Sequence, residues 1–137
     1  MPNRHEKYAK EILRAVFGNR FSDLVGVRGQ RDPNIAGRII DGVIDGQIAV
    51  EITRGTAKHI AGEACVVALH SLPYKLLIVL PGGAHDDQTA TEAARHYIRR
   101  ILNGDRLFRI VLFAGSGAEP KSDQDESMLR SSLEGWP

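Results

Sequence analysis

Asp41 and Glu51 are the residues whose type and spacing best suit chemistry in this chain. Each lies in a run rich in β-branched residues, Arg38 to Ile44 and Gln47 to Ile52, and the runs are separated by Asp45-Gly46, a pair favoured in tight hairpin turns. Alternate side chains of a strand share a face, so Asp41, Val43 and Asp45 group on the first strand and Gln47, Ala49, Glu51 and Thr53 on the second. Two acids on adjacent antiparallel strands meet when their registers match. Converging carboxylates repel unless a cation joins them, and oxygen ligands of this kind suit Mg²⁺ or Mn²⁺, which keep several waters for substrate phosphates. Ile48, Val50 and Ile52 give the second strand an apolar face to bury, which is expected to leave the carboxylate-bearing face accessible.

The stretch Arg38-Ile-Ile-Asp41-Gly-Val-Ile-Asp45-Gly-Gln-Ile-Ala-Val-Glu51-Ile-Thr53 resembles the PD-(D/E)XK pattern of restriction-endonuclease-like nucleases. The resemblance implies an αβββαβ core with a mixed sheet flanked by helices, with Asp41 as the first acid of the motif and Glu51 as the second. It further implies a third metal ligand from the opening helix, where Glu6 is the candidate and Glu11 the substitute. The motif's lysine, which orients water and stabilises charge developing at phosphorus, is replaced by Thr53, and a hydroxyl carries no charge for that task. Lys58, expected on the first turn of the second helix, is the preferred replacement; Arg54, if still on the strand, would face the other way. Arg28, Arg31 and Arg38 are candidates for holding flanking phosphates without reading sequence. The implied activity is Mg²⁺- or Mn²⁺-dependent hydrolysis of DNA phosphodiesters, by a nuclease or a nuclease-like subunit of a DNA-processing or defence system. Cleavage of both strands would call for a homodimer. The alternative is a catalytically silent domain of the same fold that binds nucleic acid or a protein partner.

The elements that must position these residues are legible as patterns. Tyr8, Ile12, Leu13, Val16 and Phe17 recur at helical spacing within Asn3 to Phe17, and Gly18-Asn19 stops the helix. Asp23 to Val27 reads as a short strand, Arg28 to Gly37 as a polar loop, and the hairpin follows. Thr56 to Leu72 predicts a second helix, Tyr74 to Leu80 a buried strand, Asp87 to Leu102 a third helix and Leu107 to Ala114 a last core strand. The later alternation favours parallel pairing within a mixed α/β sheet. Residues 1–118 are assigned to one domain and 119–137 to a polar, flexible tail in which Trp136 could dock.

Composition narrows the function classes. Hydrophobic residues make up 42% and charged residues 26%, as in ordinary globular domains. Cys65 is the single cysteine, which excludes an intrachain disulfide framework and suggests the cytoplasm. Met1 to Lys10 lacks the apolar stretch of a signal peptide, and Leu76 to Leu80 is too short to cross a bilayer, so no membrane role is expected. The tail from Glu119 holds five acidic residues against two basic ones, which leaves the preceding body mildly basic. Such a surplus permits binding to a polyanion. His5, His59, His70, His85 and His96 show no zinc-type spacing with cysteine, and Cys65 reads as a small core residue. Pro81 to Gly83 and Gly115-Ser-Gly117 follow strands as nucleotide-binding loops do, yet the latter lacks the Lys-Ser/Thr of a P-loop and is expected to have no following helix.

Overall fold

A computed structural model of the chain describes residues 4–23, 40–55, 57–68, 72–81, 96 and 107–136, with the backbone alone at 57 and 58. The opening helix, α1 (Arg4–Phe17), carries Glu6 in its first turn, where an acid suits the helix dipole, and buries Tyr8, Ala9, Ile12 and Leu13. A 3₁₀ turn, Gly18–Arg20, leads into β1 (Phe21–Ser22). This strand lies just ahead of the segment expected at 23–27, of which 24–27 fall outside the described residues.

The hairpin forms where its turn chemistry predicts. β2 (Gly42–Ile44) and β3 (Ile48–Thr53) pair antiparallel, joined through Asp45 at φ 54° and Gly46 at φ 67°. Positive φ at both central residues is the geometry that makes Asp-Gly a preferred hairpin pair. Asp45 serves the turn and takes a bidentate ion pair from Arg20, with Nε to Oδ2 at 2.9 Å. A side chain at Gly42 would have to share space with β1, since its Cβ would stand 2.5 Å from the Phe21 ring and 2.8 Å from the Ser22 carbonyl.

The second helix, α2 (Ala57–Ala68), carries the chain from β3 to β4 (Tyr74–Val79), which pairs parallel with β3, and β5 (Phe108–Leu112) pairs parallel with β4. The five strands lie in sequential order, β1-β2-β3-β4-β5, in one mixed sheet. Helix α1 covers one face over Ile44, Ile48, Val50, Leu76, Ile78 and Leu80, while α2 covers the other with Ile60, Ala64 and Val67 over Ala49, Leu77 and Val79. Strand β4 is buried on both sides, which is why its sequence is a continuous apolar run. The helix expected over 87–102 lies outside the described residues apart from His96, which is helical, and the loop with Arg28, Arg31 and Arg38 lies outside them entirely.

The segment from 119 onward differs from the expected flexible tail: it contains helix α3 (Ser122–Ser132), docked on α1 and β5. Leu129 and Leu133 enter the α1 core, and Asp125, fully buried, accepts the Ala114 and Gly115 N–H groups at 2.7 and 3.0 Å and the Tyr8 hydroxyl at 2.5 Å. Trp136 packs against Tyr74 at a tilt of 57° with ring centroids 5.0 Å apart, under the Arg109 guanidinium. Arg109 also donates to the Ser132 and Glu134 carbonyls at 2.6 and 2.7 Å, satisfying groups at the end of α3. Among the described residues no helix is long and apolar enough to cross a membrane.

Candidate functional site

Ile40 and Asp41, expected on the first hairpin strand, precede it: β2 begins at Gly42, which pairs with Val50, so Asp41 stands one residue ahead of the ladder. The Asp41 N–H donates to the Val50 carbonyl at 3.0 Å, and its Oδ2 accepts the Ile52 N–H at 2.7 Å, which ties the carboxylate to the adjacent strand. Glu6 reaches the same place from α1. Its carboxyl hydrogen-bonds to Asp41, and that contact, with burial and the negative charge of Asp41 behind it, raises the Glu6 pKa above the ordinary glutamate value; Lys10 opposes the shift. Lys10, buried one helical turn further on, has its Nζ 3.5 Å from Glu6 Oε1. The Glu6–Lys10 spacing of four residues was a readable signal for this pair.

Glu51 departs from the expected accessible face. It is only 6% exposed, because α2 lies over the face that carries Ala49, Glu51 and Thr53 while α1 lies over Ile48 and Val50. Both faces of β3 are therefore covered, and access comes from the margin of the sheet. There a cleft of about 330 Å³ is lined by His5, Glu6, Asp41, Glu51, Thr53 and Arg54, with His59 and Glu63 contributed by α2. The structure thus brings Asp41, Glu51 and Glu6 to one cavity.

Thr53, at the motif's lysine position, is 4% exposed, and its Oγ1 has no hydrogen-bond partner among the described residues; the same holds for His5 Nδ1. Arg54 lies in the cleft rather than on the opposite face. Strand β3 ends at Thr53 and Gly55 follows at φ 132°, so the alternation that would have turned Arg54 away no longer applies. Its Nη1 contacts His5 Nε2. Burial, followed by the charges of Arg54 and Arg4, lowers the His5 pKa, which favours a neutral ring that accepts from the guanidinium. Lys58 sits in the first turn of α2, with its side chain outside the described residues. Among the described residues Arg54 is the only lysine or arginine that lines the cleft. His59 and Glu63, one turn apart on α2 with 3.8 Å between His59 Nε2 and Glu63 Oε1, also line it.

Among the described residues no three His, Cys, Asp or Glu side chains already enclose a metal position. The donor set is still chemically suited to Mg²⁺ or Mn²⁺: hard carboxylate oxygens, two of them in mutual contact, lie in a polar cavity with room for water. Mg²⁺ in particular is commonly held by one or two carboxylates and keeps several waters. The Gly115-Ser-Gly117 loop is ill suited to phosphate, because the Gly115 N–H is given to Asp125, the Ser116 N–H to the Glu119 carbonyl, and Ser116 Oγ accepts the Ala118 and Glu119 N–H groups. Of the other glycine-rich turn only Pro81 is described. The chain matches no protein-family model, no curated protein and no solved structure.

Proposed function

We propose that the chain is a restriction-endonuclease-like, metal-dependent nuclease domain that hydrolyses DNA phosphodiesters in the cytoplasm. The observation that carries this reading is the arrival of Glu6 from α1, Glu51 from β3 and Asp41 from the residue ahead of β2 at one polar cleft beside the hairpin. The strand order, with β2 antiparallel to its neighbours and the later strands parallel, is compatible with the αβββαβ core that the motif implies. Asp41 and Glu51 are the metal ligands in this reading and Glu6 the third. When bound, Mg²⁺ or Mn²⁺ neutralises the scissile phosphate and lowers the pKa of a coordinated water. The protein holds the Asp41 carboxylate through the Ile52 N–H, orients Glu6 through Lys10 and keeps Glu51 in a desolvated wall. Lys58 or Arg54 would supply the missing cation, and Arg28, Arg31 and Arg38 would grip flanking phosphates.

A second reading, a catalytically silent domain of this fold that binds nucleic acid or a protein partner, is favoured by the uncharged Thr53 and by the lack of a preformed three-ligand group among the described residues. Incubation of supercoiled plasmid with the wild-type chain separates the two. The nuclease reading expects nicking with Mg²⁺ or Mn²⁺ that stops on chelation and is lost in Asp41→Asn and Glu51→Gln. Intact plasmid at every metal concentration would leave the silent domain.

A further inference from the structure

A second cavity, of about 300 Å³, opens at the other end of the sheet from the carboxylate cleft. Ile48, the first residue of β3, lines it, whereas Thr53, the last, lines the cleft, roughly 16 Å further along the strand. Val16 and Phe17 from the end of α1 and Leu133 and Trp136 from beyond α3 complete its apolar wall. Its polar wall is made of two arginines, Arg20 and Arg130, and among the described residues no acid lines it, in contrast to Glu6, Asp41, Glu51 and Glu63 in the cleft. Phe17 and Trp136 are half-buried and Arg20 and Arg130 exposed, so each keeps surface that a ligand can touch.

The charge around this hollow has one prevailing sign. Asp45 fixes Arg20, whose guanidinium stands 5.4 Å from the centre of the Phe17 ring. Arg130 forms no ion pair among the described residues. Arg109, 4.6 Å over the Trp136 ring, donates to two backbone carbonyls, which leaves its charge unneutralised by them. Three guanidinium groups thus stand against one carboxylate at an apolar hollow with two aromatic walls. We propose that this cavity binds a small aromatic anion, with its ring against Phe17 and Trp136 and its acidic group at Arg130. Aromatic rings favour such partners over aliphatic ones, a guanidinium suits a carboxylate or a phosphate equally, and the volume lies at the small end of the roughly 300–1,000 Å³ typical of small-molecule sites. The site needs neither the metal nor the nuclease reading. A ligand in it touches α1 and the end of α3 together, and so secures the docked C-terminal helix.

Trp136 is the single tryptophan of the chain, so its fluorescence reports on this cavity directly. The test is titration of the full chain with phenylacetate and with phenyl phosphate at constant ionic strength, and with phenylacetamide as the uncharged control. At least one anion should produce a saturable change in Trp136 emission and raise the melting temperature, and the tighter of the two identifies the acidic group. The amide should bind at least about threefold more weakly. Arg130→Ala should weaken anion binding about three- to tenfold, the scale of a charge-assisted hydrogen bond at a partly exposed site, and Arg130→Lys should restore part of the loss. Val16→Trp fills the cavity and should abolish binding measured by calorimetry. No saturable binding of either anion, equal binding of the amide, or unchanged affinity in Arg130→Ala or Val16→Trp would each overturn the site. Mg²⁺ should leave the affinity unchanged; binding that appeared only with Mg²⁺ would place the ligand in the carboxylate cleft and overturn it as well.

Discussion

Two carboxyls in contact favour a shared proton, and Glu6 with Asp41 is such a pair. Because the folded-state pKa of Glu6 is raised above its ordinary 4.5, the stabilising contribution of the Glu6 carboxyl is present below that value and is lost as pH rises through the folded pKa. At neutral pH and without metal the pair therefore works against the fold. Asp41→Asn removes one charge while its side-chain oxygen can still accept the Ile52 N–H, so it should raise the metal-free melting temperature at pH 7. The gain should shrink as pH falls towards 4.5, and added Mg²⁺ should stabilise wild type but not the variant. Thermal melts across this range check the prediction; a variant that melts lower than wild type at pH 7 would contradict it. At this scale the sequence was informative about the hairpin turn at Asp45-Gly46, a local pattern, but not about Asp41, which was expected on the strand and lies just ahead of β2. It was uninformative about Arg54, whose direction is set by the chain leaving β3 after Thr53, and about the burial of Glu51, which depends on where α2 comes to lie.

Helix α3 is attached through one carboxylate as much as through its apolar stripe. Asp125 joins the end of β5, through the Ala114 and Gly115 N–H groups, to Tyr8 on α1, and the Tyr8 oxygen in turn accepts the Lys121 N–H at 3.1 Å. Asp125→Ala strands these donors and should cost about 3–5 kcal/mol, measurable by denaturant unfolding, whereas Tyr8→Phe should cost about 1–2 kcal/mol. Burial and the Asp125 contact push the Tyr8 pKa up to about 12 from 10.0. The neutral phenol is the form the fold prefers, so its contribution is complete below pH 10.0 and is lost as pH rises through about 12. Tyr8→Phe should lack that alkaline component in a pH series of unfolding midpoints. The docking of this helix was hidden in the sequence because its composition is polar and the buried group that fixes it is an acid. By contrast, α1, the hairpin, α2 and β4 were readable: each carries a periodic or continuous apolar pattern closed by a turn or breaker residue. β1 at Phe21–Ser22 was not anticipated because two residues offer too little alternation to detect.

Among the described residues the molecule is a mixed five-stranded sheet covered by helices on both faces, and this arrangement puts the candidate chemistry at the margin, where α1, β3 and α2 all contribute to one cleft. A substrate as large as duplex DNA would approach such a margin from outside and would need basic residues to hold its phosphates. Arg28, Arg31 and Arg38 are the proposed grips. Their triple replacement by Ala should weaken binding to a random duplex and reduce the slope of log affinity against log salt by up to about 3, one unit for each phosphate no longer neutralised. A triple variant that binds like wild type at low salt would exclude these arginines from DNA binding. The nuclease reading depends on whether the Asp41, Glu51 and Glu6 carboxylates hold a divalent ion, and calorimetric titration of Mn²⁺ into wild type and Asp41→Asn decides that point. A saturable site is expected in wild type and at least about tenfold weaker binding in the variant, with no fall in melting temperature. Superimposable isotherms for the two proteins, or no Mn²⁺ binding by wild type, would contradict a metal site built on these carboxylates.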